Sequence, residues 1–440
     1  MKGLHLSLAT LSLLAANATA QSLEEAIKGV DVSGYLKYEY EDNRFKNQGF
    51  LKDNNGTGEV NHTWHAEAEL KTPVQNHIAL TLGVYYDNSN NVNHGKGSPA
   101  NESKGSFLGE GLGAGKDGNF GVSTFFATIT PDFTKSNITL GKMRLATPLN
   151  DEGDDRGTGI LMLNNDIPNI SLVAGAFDAW SLDDLSDALP NQSITKPLYT
   201  VATLTNYSFD LGSLDAQAWY FHIDDILDSA FFTEISFSHE IFHLSGQYAY
   251  AQTKNAGIDS LRVALGENTQ KYQTKSDFIS LEAGVDFASF NLPLALNLGF
   301  ITNTKDNFGV SLDDEGALQK VGALWFDNYD ATEINFSAIS GAIHKDLQKE
   351  LKTLYASLSY SPLENFSLGI DYVKGKNKIN NLATKTNYEI DFYEVTPNFT
   401  WQYNQNIELH SYYAILKTKS TAQIDSEQRN QFKLEAIYSF

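Results

Sequence analysis

The sequence predicts an all-β fold: a single closed antiparallel transmembrane β-barrel of about 18 strands, with 16 also possible. Three observations carry this. Segments with strict period-two alternation recur along the chain. The connections between them are short at one end and mostly long and polar at the other. Beyond the N-terminal segment, no window approaches the roughly 18 apolar residues that a spanning helix requires.

The chain opens with Met1-Lys2, a small positive region, then an apolar run from Leu4 to Leu14. That run is about half the length of a spanning helix. Ala18-Thr19-Ala20 forms a small-residue cleavage site before Gln21. Residues 1–20 are therefore expected to be a secretory signal peptide, and 21–440 the barrel domain. The competing reading is a buried N-terminal helix, but nothing amphipathic follows the run.

Expected strand centres fall at residues 36, 67, 82, 126, 140, 160, 173, 203, 218, 233, 246, 282, 297, 356, 370, 396, 411 and 435. In the second strand, Trp64, Ala66, Ala68 and Leu70 alternate with His65, Glu67, Glu69 and Lys71. Around residue 282, Ile279, Leu281, Ala283 and Val285 alternate with Ser280, Glu282, Gly284 and Asp286. Around residue 370, Leu368, Ile370 and Tyr372 alternate with Ser367, Gly369 and Asp371. The last strand places Phe432, Leu434, Ala436, Tyr438 and Phe440 on one face. Gln431, Lys433, Glu435 and Ser439 lie on the other, with Ile437 the one apolar exception. An apolar face turned to lipid and a polar face turned to water is what a barrel wall needs. The polar phase makes Glu67, Glu69, Glu282, Asp286 and Asp371 expected lumen-wall acids. The weakest segment is 388–401, where the phase slips near Phe392 and Pro397 interrupts.

Short turns are expected near Thr72-Pro73, Pro131-Asp132, Ile167-Pro168, Asp210-Leu211-Gly212, His239-Glu240, Ser289-Phe290, Ser361-Pro362 and Asn404-Gln405. The longer loops include Asp87 to Asn119, Ser181 to Lys196, Thr253 to Lys275 and Thr304 to Lys349. A strict short–long alternation between the periplasmic and extracellular ends is expected. Within the last loop, Leu318 to Ile343 carries scattered apolar residues, which either fold inward or pack at a loop interface.

Composition narrows the function. There is no cysteine, which excludes a disulfide scaffold and thiolate metal sites. Tyr and Phe together number 47, suited to strands and to the two interfacial girdles. A net charge of −22 excludes a general nucleic-acid binder and favours cations wherever acids line a confined path. Mean hydropathy of −0.31 argues against a helical membrane protein but not a barrel, half of whose strand residues face water.

The loop at 145–156 is the expected pore constriction, formed by Lys142, Arg144, Asp151, Glu152, Asp154, Asp155 and Arg156. Its four carboxylates lie within five residues and demand water, cations or opposing bases. Folded inward, they would select for cations; the plain alternative is a solvated acidic loop. Asp151, Asp154 and Asp155 could hold Ca²⁺ through oxygen ligands, though their spacing departs from the EF-hand pattern. No Gly-x-Ser-x-Gly elbow occurs, and His243 and His410 fall in the polar phase of their strands, so no enzyme is expected.

The stretch from Leu23 through Ala26 and Asp31 to Tyr38 closely resembles the mature N-terminus of the major outer-membrane porins of campylobacters and related bacteria. Gly141-Lys142 with Leu145 and Asp151, then Gly157-Thr158-Gly159 and the Asn164-to-Phe177 segment, are similar to that family's third-loop region. The closing Phe432-to-Phe440 strand, with its terminal aromatic, is similar too. The resemblance implies a trimeric, 18-stranded, cation-selective porin that passes small hydrophilic solutes, with the third loop in the lumen and a calcium ion at the constriction. Asp151 matches a family third-loop acid. Leu149 stands where the family has tryptophan, the following acids are denser, and the loop is shorter. The expected function is an outer-membrane general diffusion porin, exported through its signal peptide and assembled as a homotrimer. The alternative is a surface adhesin or receptor barrel acting through its long loops.

Overall fold

The computed structural model describes residues 29–46, 58–92, 119–151, 153, 155–181, 193–264, 268–313, 316–326, 332–422 and 425–440. The expected signal peptide, residues 47–57, 93–118 and 182–192, and the acids Glu152 and Asp154 lie outside the described residues.

Eighteen strands form one closed sheet. They are β1 (Asp31–Lys46), β2 (Gly58–Lys71), β3 (Ile78–Val92), β4 (Asn119–Ile129), β5 (Ser136–Arg144) and β6 (Arg156–Asn164). Next come β7 (Ile170–Ser181), β8 (Leu198–Phe209), β9 (Gly212–Ile223), β10 (Leu227–Ser238), β11 (Phe242–Thr253) and β12 (Lys275–Asp286). The wall finishes with β13 (Leu294–Thr302), β14 (Leu347–Leu363), β15 (Phe366–Asn381), β16 (Thr386–Asn404), β17 (Ile407–Ser420) and β18 (Glu427–Ser439). Every expected centre falls inside its strand. Each strand pairs antiparallel with its neighbours in sequence. The ring closes where β1 meets β18, from Tyr35 opposite Ser439 to Lys46 opposite Gln428. Closure leaves no unpaired edge, which lipid would not tolerate.

The outer wall is apolar where a soluble protein would be polar. Phe125, Leu281, Leu298 and Leu354 are each more than half exposed, and all four stand in the outward phase. Such surface is stable only against lipid.

One expectation about the elements is corrected, and the weakest expected strand is present. The long side does not alternate strictly with the short side, because the connections at 224–226, 382–385 and 421–426 are as brief as periplasmic turns. The segment 388–401 lies within β16, as the centre at 396 required, and its phase slip does not interrupt the strand. Ile390, Phe392, Glu394 and Thr396 are all buried on the inward side, while Asp391, Tyr393 and Pro397 are exposed. Geometry continues while polarity inverts, because the upper half of the strand rises beyond the apolar band and its inner face meets protein. Pro397 pairs with Ile370 on the β15 side, but the β17 ladder skips Thr396 and Pro397, as expected for a residue without an N–H.

The hydrophobic core sits inside the barrel. The segment 303–346, between β13 and β14, folds inward and buries Phe308, Leu312, Leu324, Trp325, Phe336 and Ile339. Helix α1 (Asn255–Ala264), in the β11–β12 connection, adds Ile258 to the same cluster.

Candidate pore and constriction

The inward segment is tied to the wall by inward-facing polar side chains, each accepting or donating where the segment's backbone would otherwise be orphaned. Asp277 on β12 accepts from the Thr304 and Lys305 N–H groups at 2.7 and 2.6 Å and from Thr304 Oγ1 at 2.5 Å. Gln247 on β11 donates to Ala317 O at 3.0 Å and accepts from Gln319 N at 2.6 Å. Glu394 on β16, fully buried, accepts from three successive N–H groups, those of Ala323, Leu324 and Trp325, at 2.5, 3.0 and 2.8 Å. Thr396 Oγ1 adds a fourth bond to the same carboxylate at 2.6 Å. Asn377 on β15 donates to Thr332 O at 2.9 Å, and Arg262 of α1 donates to Ser340 O at 2.9 Å. The segment therefore reaches from the β11 wall to the β16 wall. Chain thickness alone makes it an obstruction.

Aromatic packing fixes it there. The Trp325 ring stacks on Phe392 of β16 with centroids 5.8 Å apart and planes at 11°. Phe336 meets Phe278 of β12 edge to face at 5.4 Å. Such pairs add about 0.5–1.5 kcal/mol each beyond the area they bury.

The loop at 145–155 folds inward against this segment. Leu145 and Leu149 belong to the same buried cluster. Leu149 O accepts from Leu312 N at 2.7 Å, and Pro148 O accepts from Ala317 N at 2.8 Å. The two loops form one body across the upper lumen.

The sequence-predicted constriction residues divide into three groups. Arg144 and Arg156 converge on Glu67 of β2: Arg144 lies 2.7 Å from one carboxylate oxygen and Arg156 3.7 Å from the other. Asp151 and Asp155 turn into their own loop. Asp155 is fully buried and accepts from Asn150 Nδ2 at 2.7 Å and Asp151 N at 3.2 Å, while Asp151 Oδ1 accepts from Gly153 N at 2.6 Å. Lys142 joins neither group. It stands opposite Phe125, which faces outward, and its Nζ donates to Val122 O at 2.6 Å. Glu152 and Asp154 lie outside the described residues. Both of these bonds to Asp155 fall on Oδ2, and Asp154, the third residue of the expected calcium set, lies outside the described residues. Among the described residues no group of three His, Asp or Glu is arranged to hold a metal.

The expected wall acids are placed as follows. Glu69 accepts from Thr124 Oγ1 at 3.2 Å. Glu282 lies 3.2 Å from His243 Nε2 and accepts from Tyr355 Oη at 2.9 Å. Asp371 accepts from Asn398 Nδ2 at 3.3 Å and is also bonded by Ser357 and the Gly322 backbone, so it holds the inward segment too. Asp286 accepts from Ala288 N at 2.8 Å, capping a short turn at the periplasmic end.

Below the crossing loops the lumen is open. A cavity of about 490 Å³ is bounded by Lys37 of β1, Glu67 and Glu69 of β2, Arg144, and Glu435 of β18. A second, of about 540 Å³, lies against β7 to β10 and includes Asn206, Asp215, Gln217 and Glu234. Above the first cavity, Lys433 pairs with Glu39 at 2.9 Å. Sequence reasoning did not single out Glu394, Gln247 or Asp277. The one available signal was Glu394, a lone acid among inward apolar residues between Phe392 and Thr396.

A family model described as Campylobacter major outer membrane protein matches residues 1–440. Among curated proteins no match is found. Solved structures with the same fold include OpdQ of Pseudomonas aeruginosa, 12% identical with a TM-score of 0.61 over 94% of this chain and 99% of that one. A BenF-like porin from Pseudomonas fluorescens Pf-5 is 14% identical with a TM-score of 0.59, covering 94% and 99%. OprD of Pseudomonas aeruginosa is 11% identical with a TM-score of 0.55, covering 93% and 96%. At these identities the likeness is one of fold.

Proposed function

The chain belongs to the Campylobacter major outer membrane protein family, and from that premise we propose that it is a general diffusion porin passing small hydrophilic solutes and ions, with a preference for cations. It is a barrel of the outer membrane, and both family and fold point to a channel rather than an enzyme. In this reading residues 1–20 are removed on export and three copies assemble.

The observation that supports permeation is the wet, charged lumen against β1, β2 and β18, beside an upper lumen partly filled by protein. Solutes pass along that wall. Charge within it supports the cation preference. Around the 490 Å³ cavity, Arg144 and Arg156 both reach Glu67, while Glu69 and Glu435 share the wall with Lys37 and make no salt bridge within 4 Å among the described residues; the second cavity adds Asp215 and Glu234 against Lys135. Acid in a confined, water-filled path concentrates cations.

Planar-bilayer recording tests both parts. The purified protein should give discrete conductance steps, and its reversal potential in a salt gradient should favour the cation. Glu69→Gln with Glu435→Gln should move that potential towards zero without abolishing the steps. Absence of steps would overturn the porin reading. Anion preference, or a potential unmoved by the double variant, would overturn the assignment of selectivity to this wall.

A further inference from the structure

The outer wall of β14 to β17 carries a feature that permeation does not use. Lys352 on β14, Lys374, Lys376 and Lys378 on β15, and Lys417 and Lys419 on β17 all share the outward phase of their strands. They alternate with the buried inward residues Leu351, Thr353, Val373, Asn377, Leu416 and Thr418. They continue the rows that begin with the exposed lipid-facing Leu354, Tyr372 and Tyr413. All six lie in the halves of their strands nearest the long-loop side. The amines therefore begin where the apolar band ends, at headgroup depth, where a lysine stem can lie along apolar surface and its ammonium in the polar layer.

Their arrangement leaves an excess of positive charge. Three acids share the patch: Glu350, 2.5 Å from Lys352, and Glu389 and Asp391, 2.7 and 3.5 Å from Lys376. In the ladder Lys378 stands opposite both Glu350 and Glu389, and Lys419 opposite Asp391, whereas Lys374 stands opposite Leu354 and Tyr393 and faces no acid. Lys352 stands directly opposite Lys376 in the ladder, where like charges repel, and the acids at Glu350, Glu389 and Asp391 offset only part of the amine charge. Six lysines against three acids make a positive surface on a chain whose net charge is −22. Lys417 Nζ also stands 5.8 Å from the Tyr393 ring centroid, tying the amine row to the aromatic girdle.

We propose that this face of β14 to β17 is a docking site for the phosphate groups of the glycolipid in the outer leaflet. Lysine serves as a mobile point charge for phosphate, and the row of three amines on β15 and the row of two on β17, separated by β16, present several such charges to one phosphorylated headgroup while its acyl chains lie along Leu354, Tyr372 and Tyr413. The inference rests on the outer-membrane location and is independent of permeation and of its selectivity.

The test uses the full-length protein folded in detergent and titrated with a bis-phosphorylated disaccharide glycolipid, or with the same lipid after enzymatic dephosphorylation, with bound lipid read by native mass spectrometry. The phosphorylated lipid should bind, and the dephosphorylated one much more weakly. Replacing the six lysines by glutamine should weaken phosphorylated-lipid binding by about tenfold or more, and replacing them by arginine should retain it. Circular dichroism and bilayer conductance report whether each variant is folded. Should the sixfold variant fail to fold, Lys374→Gln with Lys378→Gln is read instead and should still weaken binding severalfold. Equal binding of the two lipids, or unchanged binding by a folded glutamine variant, would overturn the proposal.

Discussion

At the scale of single residues, Glu394 does the most to decide the interior. Its carboxylate accepts three consecutive N–H groups and one hydroxyl from positions 323–325 and 396. Glu394→Ala would orphan those buried donors at a cost of about 1–3 kcal/mol, more if no water replaces the oxygens. The segment 303–346 should then loosen, giving noisier and larger single-channel currents and faster proteolysis within it. Currents and protection identical to the parent would show that the aromatic contacts alone hold the segment. Asp166, in the periplasmic turn between β6 and β7, gives a second test. Its carboxylate accepts from Lys135 N, Thr134 Oγ1 and Asn164 Nδ2 at 2.7, 2.5 and 2.7 Å. These bonds, the Lys135 backbone first, hold its pKa down at about 2. A depressed carboxylate pKa stabilises the fold above the ordinary value near 3.8. That contribution fades as pH falls through about 2. Carboxyl-detected NMR should place the midpoint near the lower value. In Asp166→Asn the acid-dependent change at the Thr134 and Lys135 amides should vanish, and its persistence would assign the change to another group.

Elements show how the wall makes room for what it holds. Gly375 on β15 stands directly opposite Phe392 on β16, and Gly299 on β13 opposite Tyr355 on β14. A Cβ at Gly375 would lie 2.1 Å from the Phe392 ring, and one at Gly299 2.0 Å from the Tyr355 ring. Each glycine lets a neighbouring ring lie across the inner wall. Phe392 carries Trp325, and Tyr355 carries the bond to Glu282. Gly375→Val should displace Phe392 and cost about 1–3 kcal/mol by overpacking. Trp325 fluorescence would report it through a red shift as water enters, whereas an unshifted spectrum would mean that the ring can be accommodated elsewhere. Strand length fits the same picture. β14 to β17 run to 17, 16, 19 and 14 residues, beyond the roughly 9–11 that cross a bilayer. Their excess forms the collar that the inward segment packs against and that carries the lysine face.

For the whole molecule, closure and filling are separate outcomes. Closure by β1 and β18 makes a cylinder wide enough for water, and the body formed by 145–155 and 303–346 then occupies part of its upper half. Conductance should accordingly be lower than that of an unobstructed barrel of 18 strands. Excision of 316–341 with a short glycine linker should raise it, as read in planar bilayers, unless that variant fails to insert. The barrel was legible in advance: all eighteen centres, the lipid face of β18, and the lumen acids Glu69 and Glu282 follow from alternation. The residues expected at the constriction are spread over different surroundings. Arg144 and Arg156 do enter the lumen cluster at Glu67, whereas Asp155 is spent on its own loop and Lys142 on the outer wall. A run of charges on a short loop carries no information about which of them curl back.

Alternation is a local property, written residue by residue with only two faces to choose between, so the sequence by itself determined where the strands lie and which side of each meets lipid, while 18 rather than 16 was settled by the closed ring. The occupant of the lumen was decided by the tertiary structure alone. Glu394 meets positions 69 to 71 residues earlier in the chain, and Leu149 meets Leu312. Pairings at such separations depend on the closed ring bringing distant segments to one height, and no local pattern encodes that height.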